Sequence, residues 1–199
     1  MHTDPEAHKR MTQRHKEGFE KKKAAAQLEK GLLIVNTGTG KGKSTAAFGM
    51  GMRVLGHGWK LGVVQFIKGA LDTAERRFMS AQANCDFHVV GAGYTWNTQD
   101  READILTARK GWREAVRMIE DPSYRMVILD ELNIALRYEH LDLSGVVATL
   151  TSRREGLHVV VTGRNAKPEM IAAADLVTEM TLVKHHFAAG VKAQPGIEF

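Results

Sequence analysis

The chain has 199 residues, 43% hydrophobic and 26% charged, with a formal net charge of +5 and a single cysteine. That length suffices for one domain with a sizeable core, and no apolar run approaches the ~20 residues of a membrane span. A lone Cys85 excludes an intrachain disulfide framework, and Met1 to Glu6 lack the basic-then-apolar layout of a secretory signal; both predict a cytoplasmic protein.

Residues 1–30 form a basic N-terminal arm, flexible or ordered by a ligand. They hold eight Lys/Arg and five Asp/Glu, so most of the net charge sits there and the remainder is nearly balanced. A pI near 9.4 is therefore weak support for nucleic acid; an anionic small molecule explains as much. His8 to Lys30 contains no proline and is compatible with a helix, but its apolar stripe of Met11, Phe19 and Leu28 is thin.

Residues 31–199 read as a single domain. Leu32 to Val35 is an apolar run with the character of a buried strand. The turn Thr37-Gly38-Thr39-Gly40-Lys41-Gly42-Lys43-Ser44-Thr45 follows, and Ser44 to Leu55 reads as a helix ended by Gly56-His57-Gly58. This is the layout of a phosphate-binding loop, in which glycines turn backbone N–H groups toward an anion and the helix N-terminus adds its dipole. Lys43 would reach the terminal phosphates and the Ser44 hydroxyl a Mg²⁺ ion. The usual pattern places a glycine at the position of Thr37; here the first glycine, Gly38, comes one residue late. Taken alone, Gly-Lys-Ser is also compatible with a plain glycine-rich turn. The flanking strand and helix favour phosphate.

Further strands are expected over Lys60 to Lys68, Asp86 to Val90, Met126 to Leu129, His158 to Thr162 and Leu176 to Lys184, the last as an edge. Helices are expected over Asp72 to Ala83, Arg101 to Glu120, Leu143 to Arg153 and Pro168 to Ala174. Alternation of this kind predicts an α/β fold, a mainly parallel sheet with helices on both faces. Its ligand would lie beyond the carboxyl ends of the strands.

Met126-Val127-Ile128-Leu129-Asp130-Glu131 has the form of the strand on the magnesium side of such a site. Tyr94 and Trp96 lie in a glycine-bounded loop and suit two roles, a loop folded onto the core or an apolar wall for a flat ligand. Arg53 and Arg164 are candidate phosphate contacts, with salt bridging as the default. His185-His186, placed on a strand, would face opposite sides and read as surface histidines rather than a metal pair.

Together these motifs resemble the bacterial ATP:corrinoid (cob(I)alamin) adenosyltransferases of the phosphate-loop type. The resemblance runs from about Lys30 to Phe199. It is most specific in the phosphate loop, Val63-Val64-Gln65-Phe66-Ile67-Lys68-Gly69, Gly93-Tyr94-Thr95-Trp96, Leu129-Asp130-Glu131-Leu132, Val160-Val161-Thr162-Gly163-Arg164 and Val183-Lys184-His185 followed by Gly190 to Gln194. It implies a RecA-like P-loop fold and transfer of the 5′-deoxyadenosyl group of ATP to the Co(I) centre of a cobalamin or its precursor, with loss of triphosphate. It also implies that Thr37 to Thr45 and Arg53 hold the nucleotide, and that Lys43, Tyr94, Trp96 and Glu131 carry the reaction. Ser44 and Glu131 would ligate Mg²⁺, with Asp130 behind them. The aromatics would press on the cobalt's lower face, a reduced flavodoxin-like flavoprotein would supply electrons, and the enzyme would be a homodimer without nucleic acid or membrane partners. Tyr94 stands where phenylalanine is frequent, Thr39 where asparagine is seen and Ser44 where threonine is seen; none of these changes removes a required group. The competing readings are a P-loop ATPase acting on nucleic acid, a small-molecule kinase and a non-catalytic ATP-binding module.

Overall fold

The computed structural model describes residues 5–67, 73–90 and 100–198. The chain divides into two compact units, residues 1–30 and 31–199. In the first, helix α1 (Pro5–Ala25) is strongly polar. Pairs one turn apart support it: Arg10 with Glu6 at 3.4 Å, and Gln13 donating to Glu17 at 2.8 Å. Lys22 and Lys23 in its last turn suit the negative end of the helix dipole.

The second unit is built on β1 (Leu33–Thr37), β2 (Lys60–Gln65), β3 (Cys85–Val89), β4 (Tyr124–Asp130), β5 (His158–Thr162) and β6 (Leu176–Glu179). The helices are α2 (Lys43–Gly56), α3 (Ala74–Ser80), α4 (Arg101–Glu120), α5 (Leu132–Arg137), α6 (Leu143–Thr151) and α7 (Pro168–Ala173). The strands form one sheet in the order β3-β2-β4-β5-β1-β6, and every described pairing is parallel. This is the RecA-like arrangement, with β5 between the loop strand β1 and the acidic strand β4.

Alternation along the strands builds two cores. Leu33, Val35, Val127, Leu129, Val159 and Val161 face one side, with Ala115 and Met118 of α4 and Leu150 of α6. Ile34, Met126, Ile128 and Val160 face the other, under Ala47 and Phe48 of α2 and Met79 of α3. Strands apolar on both faces are what a sandwiched parallel sheet requires. Asp100, Thr73 and Asp142 cap α4, α3 and α6 by accepting backbone N–H bonds.

At the opposite end from the phosphate loop, Arg153 ties the chain together. Its guanidinium donates to the Gly31 carbonyl at 2.7 Å and pairs with Asp175 at 3.0 Å, while Asp175 accepts from the Leu33 N–H at 2.8 Å. The expected edge strand is real but shorter than the sequence suggests: β6 ends at Glu179, not Lys184. His185-His186 therefore do not lie on a strand. His185 instead accepts from the Phe187 N–H at 3.2 Å, at the start of a short 3₁₀ turn (His186–Ala189), and the two rings stack at 4.6 Å.

Candidate active site

The loop between β1 and α2 owes its shape to close backbone approaches. Gly38 and Gly42 adopt φ of 96° and 105°, the left-handed region that favours glycine. A Cβ on Gly38 would stand 2.4 Å from the Met180 carbonyl oxygen; one on Gly40 would stand 2.8 Å from the carbonyl oxygens of both Met180 and Thr181. Gly40 N–H donates to Met180 O at 2.6 Å, and Met180 N–H donates to Thr37 O at 2.9 Å. The continuation of β6 thus forms the floor of the loop.

The late glycine now has a structural reason. Thr37 still belongs to β1, and its hydroxyl accepts the Ala166 N–H at 3.1 Å, tying β1 to the segment after β5. The turn starts only at Gly38. Asn36 braces it from below, donating to Lys43 O at 3.3 Å. Lys43 is buried and its ammonium lies inside the curl, donating to the Gly40 carbonyl. The N-cap of α2, Gly42, brings no side-chain cap, so the positive end of a 14-residue helix faces the loop's concavity.

Across the sheet edge, β4 delivers Asp130 and Glu131. Asp130 is fully buried; its oxygens accept from Gln65 Nε2 at 2.8 Å and from the Thr162 hydroxyl at 2.6 Å. The Thr162 hydroxyl in turn accepts the Glu131 N–H at 2.9 Å. Glu131 has φ 60° and ψ 20°, a left-handed conformation that costs a non-glycine residue roughly 1–2 kcal/mol. It persists because Thr162 holds its N–H and its carbonyl accepts the first turn of α5, from Ile134 N–H at 3.0 Å. The twist turns the carboxylate off the strand axis, toward Gly163: a Cβ on that glycine would lie 3.2 Å from Glu131 Oε2.

The loop and Glu131 share one cleft of about 490 Å³, lined among others by Lys43, Ser44, Gln65, Glu131 and Arg164. Phe187, Ala193, Ile197 and Glu198 from the C-terminal segment form its far rim. Glu198 pairs with Lys41 and lies 3.1 Å from His186 Nε2. The Lys41 hydrogen bond, and then the charges of Lys41 and His186, hold the Glu198 carboxyl below the usual range. A separate hollow of about 660 Å³ near Arg109, Trp112 and His140 shares no lining residue with this cleft.

The structure thus brings Gly40, Lys41, Gly42, Lys43, Ser44, Thr45 and Glu131 together around one space. Gly38 and Thr37 shape the loop from behind, and Thr39 is exposed on it. Arg53 is carried away by ten residues of helix, about 15 Å, and is exposed in the last turn of α2; Arg164 lines the cleft instead. Tyr94 and Trp96 lie outside the described residues. Gln65 and the tail residue Glu198 were not singled out by sequence. The signal for Gln65 was an amide inside the apolar run Val63 to Ile67, which entered the sequence reading only as part of the Val63–Gly69 motif.

A parallel sheet with a glycine loop opening onto a helix N-terminus, and a carboxylate pair on the next strand but one, defines a phosphate-loop α/β protein. The chain belongs to the ATP:corrinoid adenosyltransferase family: the family model ATP:corrinoid adenosyltransferase BtuR/CobO/CobP matches residues 29–199. It is similar to a corrinoid adenosyltransferase of Pseudomonas aeruginosa, 53% identical and covering 94% of this chain and 96% of the relative. One from a Sinorhizobium species is 51% identical, covering 94% and 92%. One from Escherichia coli K12 is 45% identical, covering 98% of each.

Proposed function

We propose that the protein transfers the 5′-deoxyadenosyl group of ATP to the Co(I) centre of a corrinoid, cobalamin or a precursor, in adenosylcobalamin biosynthesis or salvage. The observation that carries this reading is the single cleft gathering the phosphate loop, Glu131 and Arg164, in a chain of this family. The cobalt lone pair forms the Co–C bond at C5′ as the C5′–O bond breaks, and the bonding pair leaves with triphosphate. A proton-free nucleophile needs no general base. The chain's task is to orient ATP and stabilise charge growing on the leaving group. Lys43, the loop N–H groups and the N-terminus of α2 face that charge. The family resemblance implies that the triphosphate sits deep in this loop, whose floor is formed by Met180 and Thr181, with the sugar carbon pointing outward.

The residues present fit a magnesium ion accompanying ATP. Ser44 and Glu131 offer hard oxygen donors on the cleft, with buried Asp130 behind them. Among the described residues no group of three or more His, Cys, Asp or Glu gathers. That suits Mg²⁺, which takes one or two protein ligands beside phosphates and water. When bound, the ion neutralises phosphate charge.

Tyr94 and Trp96 exclude water from the cobalt's lower face and raise the cost of axial ligation, which favours reduction by a flavodoxin-like flavoprotein. The basic arm orders on binding a ligand, and the working unit is a cytoplasmic homodimer. Among the described residues no helix is long and apolar enough to cross a membrane.

The test is to incubate the protein with MgATP, a Co(II) corrinoid and a mild reductant, and to identify the phosphate product. Triphosphate with a light-sensitive Co–C product is expected. ADP would point to a kinase or a nucleic-acid-stimulated ATPase and overturn the reading. Trp96→Ala should keep ATP affinity and lose Co(II) conversion; undiminished conversion would remove the aromatic role.

A further inference from the structure

We propose that Gln65 is a positioning residue for the cation accompanying ATP, its side-chain oxygen accepting a hydrogen bond from a cation-bound water. The inference rests on the reading that a divalent cation binds at Ser44 and Glu131. Gln65 ends β2 directly beside Asp130 in the sheet register. Its side chain is 2% exposed and lines the cleft with Ser44 and Glu131. The amide nitrogen is committed, donating to Asp130 at 2.8 Å. That fixes the flip of the amide, because a carboxylate oxygen accepts. The other end, Oε1, is buried and has no hydrogen-bond partner among the described residues.

A buried carbonyl oxygen needs a donor. The groups expected beside it are acceptors, namely the Glu131 carboxylate and phosphate oxygens. A donor must therefore be brought in, and it must be small to reach a recessed oxygen. Water on a divalent cation meets both conditions, and the ion's charge makes it a stronger donor than bulk water. Asp130, fully buried and bonded to Gln65 and Thr162, then acts as the anchor that aims the amide. The acidic strand would reach the cation twice, directly through Glu131 and indirectly through Asp130, which aims Gln65 of β2.

The experiment measures Mn²⁺ affinity of the protein–ATP complex by electron paramagnetic resonance, alongside metal-free ATP affinity, for wild type, Gln65→Met, Gln65→Glu and Ser44→Ala. Thermal melting confirms that each variant is folded. Loss of an outer partner of a bound metal typically weakens affinity by about 10–100-fold. Gln65→Met should fall in that range with metal-free ATP affinity within about twofold of wild type. In Gln65→Glu the two adjoining buried carboxyls hold one proton between them, so residue 65 still donates to Asp130 and still presents an oxygen; it should bind Mn²⁺ at least as tightly as wild type. Two outcomes overturn the proposal: Gln65→Met matching wild type, or Gln65→Glu as weak as Gln65→Met. Ser44→Ala reports on the parent reading separately. If it alone leaves Mn²⁺ affinity unchanged, Ser44 leaves the cation site and Gln65 stays; if every variant matches wild type, both fall.

Discussion

Gly38 and Gly40 are glycines for different reasons. Gly38 needs both a positive φ and an open Cβ position, while Gly40 needs only the space, since a Cβ there would strike the Met180 and Thr181 carbonyls at 2.8 Å. Backbone atoms cannot step aside as a flexible side chain can. Gly40→Ala should therefore push the loop off its floor and break the 2.6 Å Gly40–Met180 bond. The expected result is ATP affinity at least about tenfold weaker, by calorimetry, with the far-ultraviolet circular dichroism of wild type; a loss of that size needs only about 1.4 kcal/mol. Unchanged affinity would mean that residues 180–181 yield. At this scale the sequence revealed the oddity but not its cause. The late glycine was visible by counting, whereas the contacts that explain it, Ala166 on Thr37 and the Met180 backbone on Gly38, lie far along the chain. Gln65 was hidden likewise, since its bond to Asp130 joins two strands distant in sequence.

Among the described elements of the second unit, α5 was the helix the sequence missed; the equally short α7 was marked by Pro168 at its start. Arg101–Glu120 carries several turns of helical pattern. The six residues of Leu132–Arg137 are too few for a period to emerge, and this helix was not anticipated. β6 was read too long because Leu182 and Val183 continue an apolar pattern; the strand stops where Met180 turns its bonds to the phosphate loop. β5 carries a pH dependence of its own. At its first residue, His158 Nδ1 accepts the Leu32 N–H at 3.2 Å, which requires an unprotonated nitrogen. Burial first, then the charges of Arg125 and Arg153, lower its pKa from the usual 6.5. The folded state thus binds the proton less readily than the unfolded chain. Its contribution is fully present above the unfolded pKa, about 6.5, and is lost as pH falls toward the depressed folded value. The urea midpoint should drop between pH 7.5 and 5.5, and drop less in His158→Gln. Equal drops would assign the loss elsewhere, His140 being lowered in the same direction.

At the level of the whole molecule, the charge balance reads differently from the pI. Much of the excess lies in residues 1–30, while in the second unit Lys41, on the rim of the cleft, already has an acidic partner. Glu198 occupies the Lys41 ammonium that an incoming phosphate would seek. Lys41 is 44% exposed at its side chain, so the competition is modest, of the order of an exposed ion pair at about 0–1 kcal/mol. Glu198→Gln should tighten ATP binding by up to about fivefold at low salt, with the gain fading as salt screens the pair. Weaker binding in this variant would instead make Glu198 part of the nucleotide's grip.

The floor under the phosphate loop also sets an order in time. The loop is synthesised early, directly after β1, but its support at Met180 and Thr181 is synthesised after every other strand's partner is in place. A nascent chain presenting only β1 to β5 would display the phosphate-loop sequence without the surface that shapes it. Such long-range closure is slow, and the ability to hold a nucleotide is therefore among the last properties the growing polypeptide acquires.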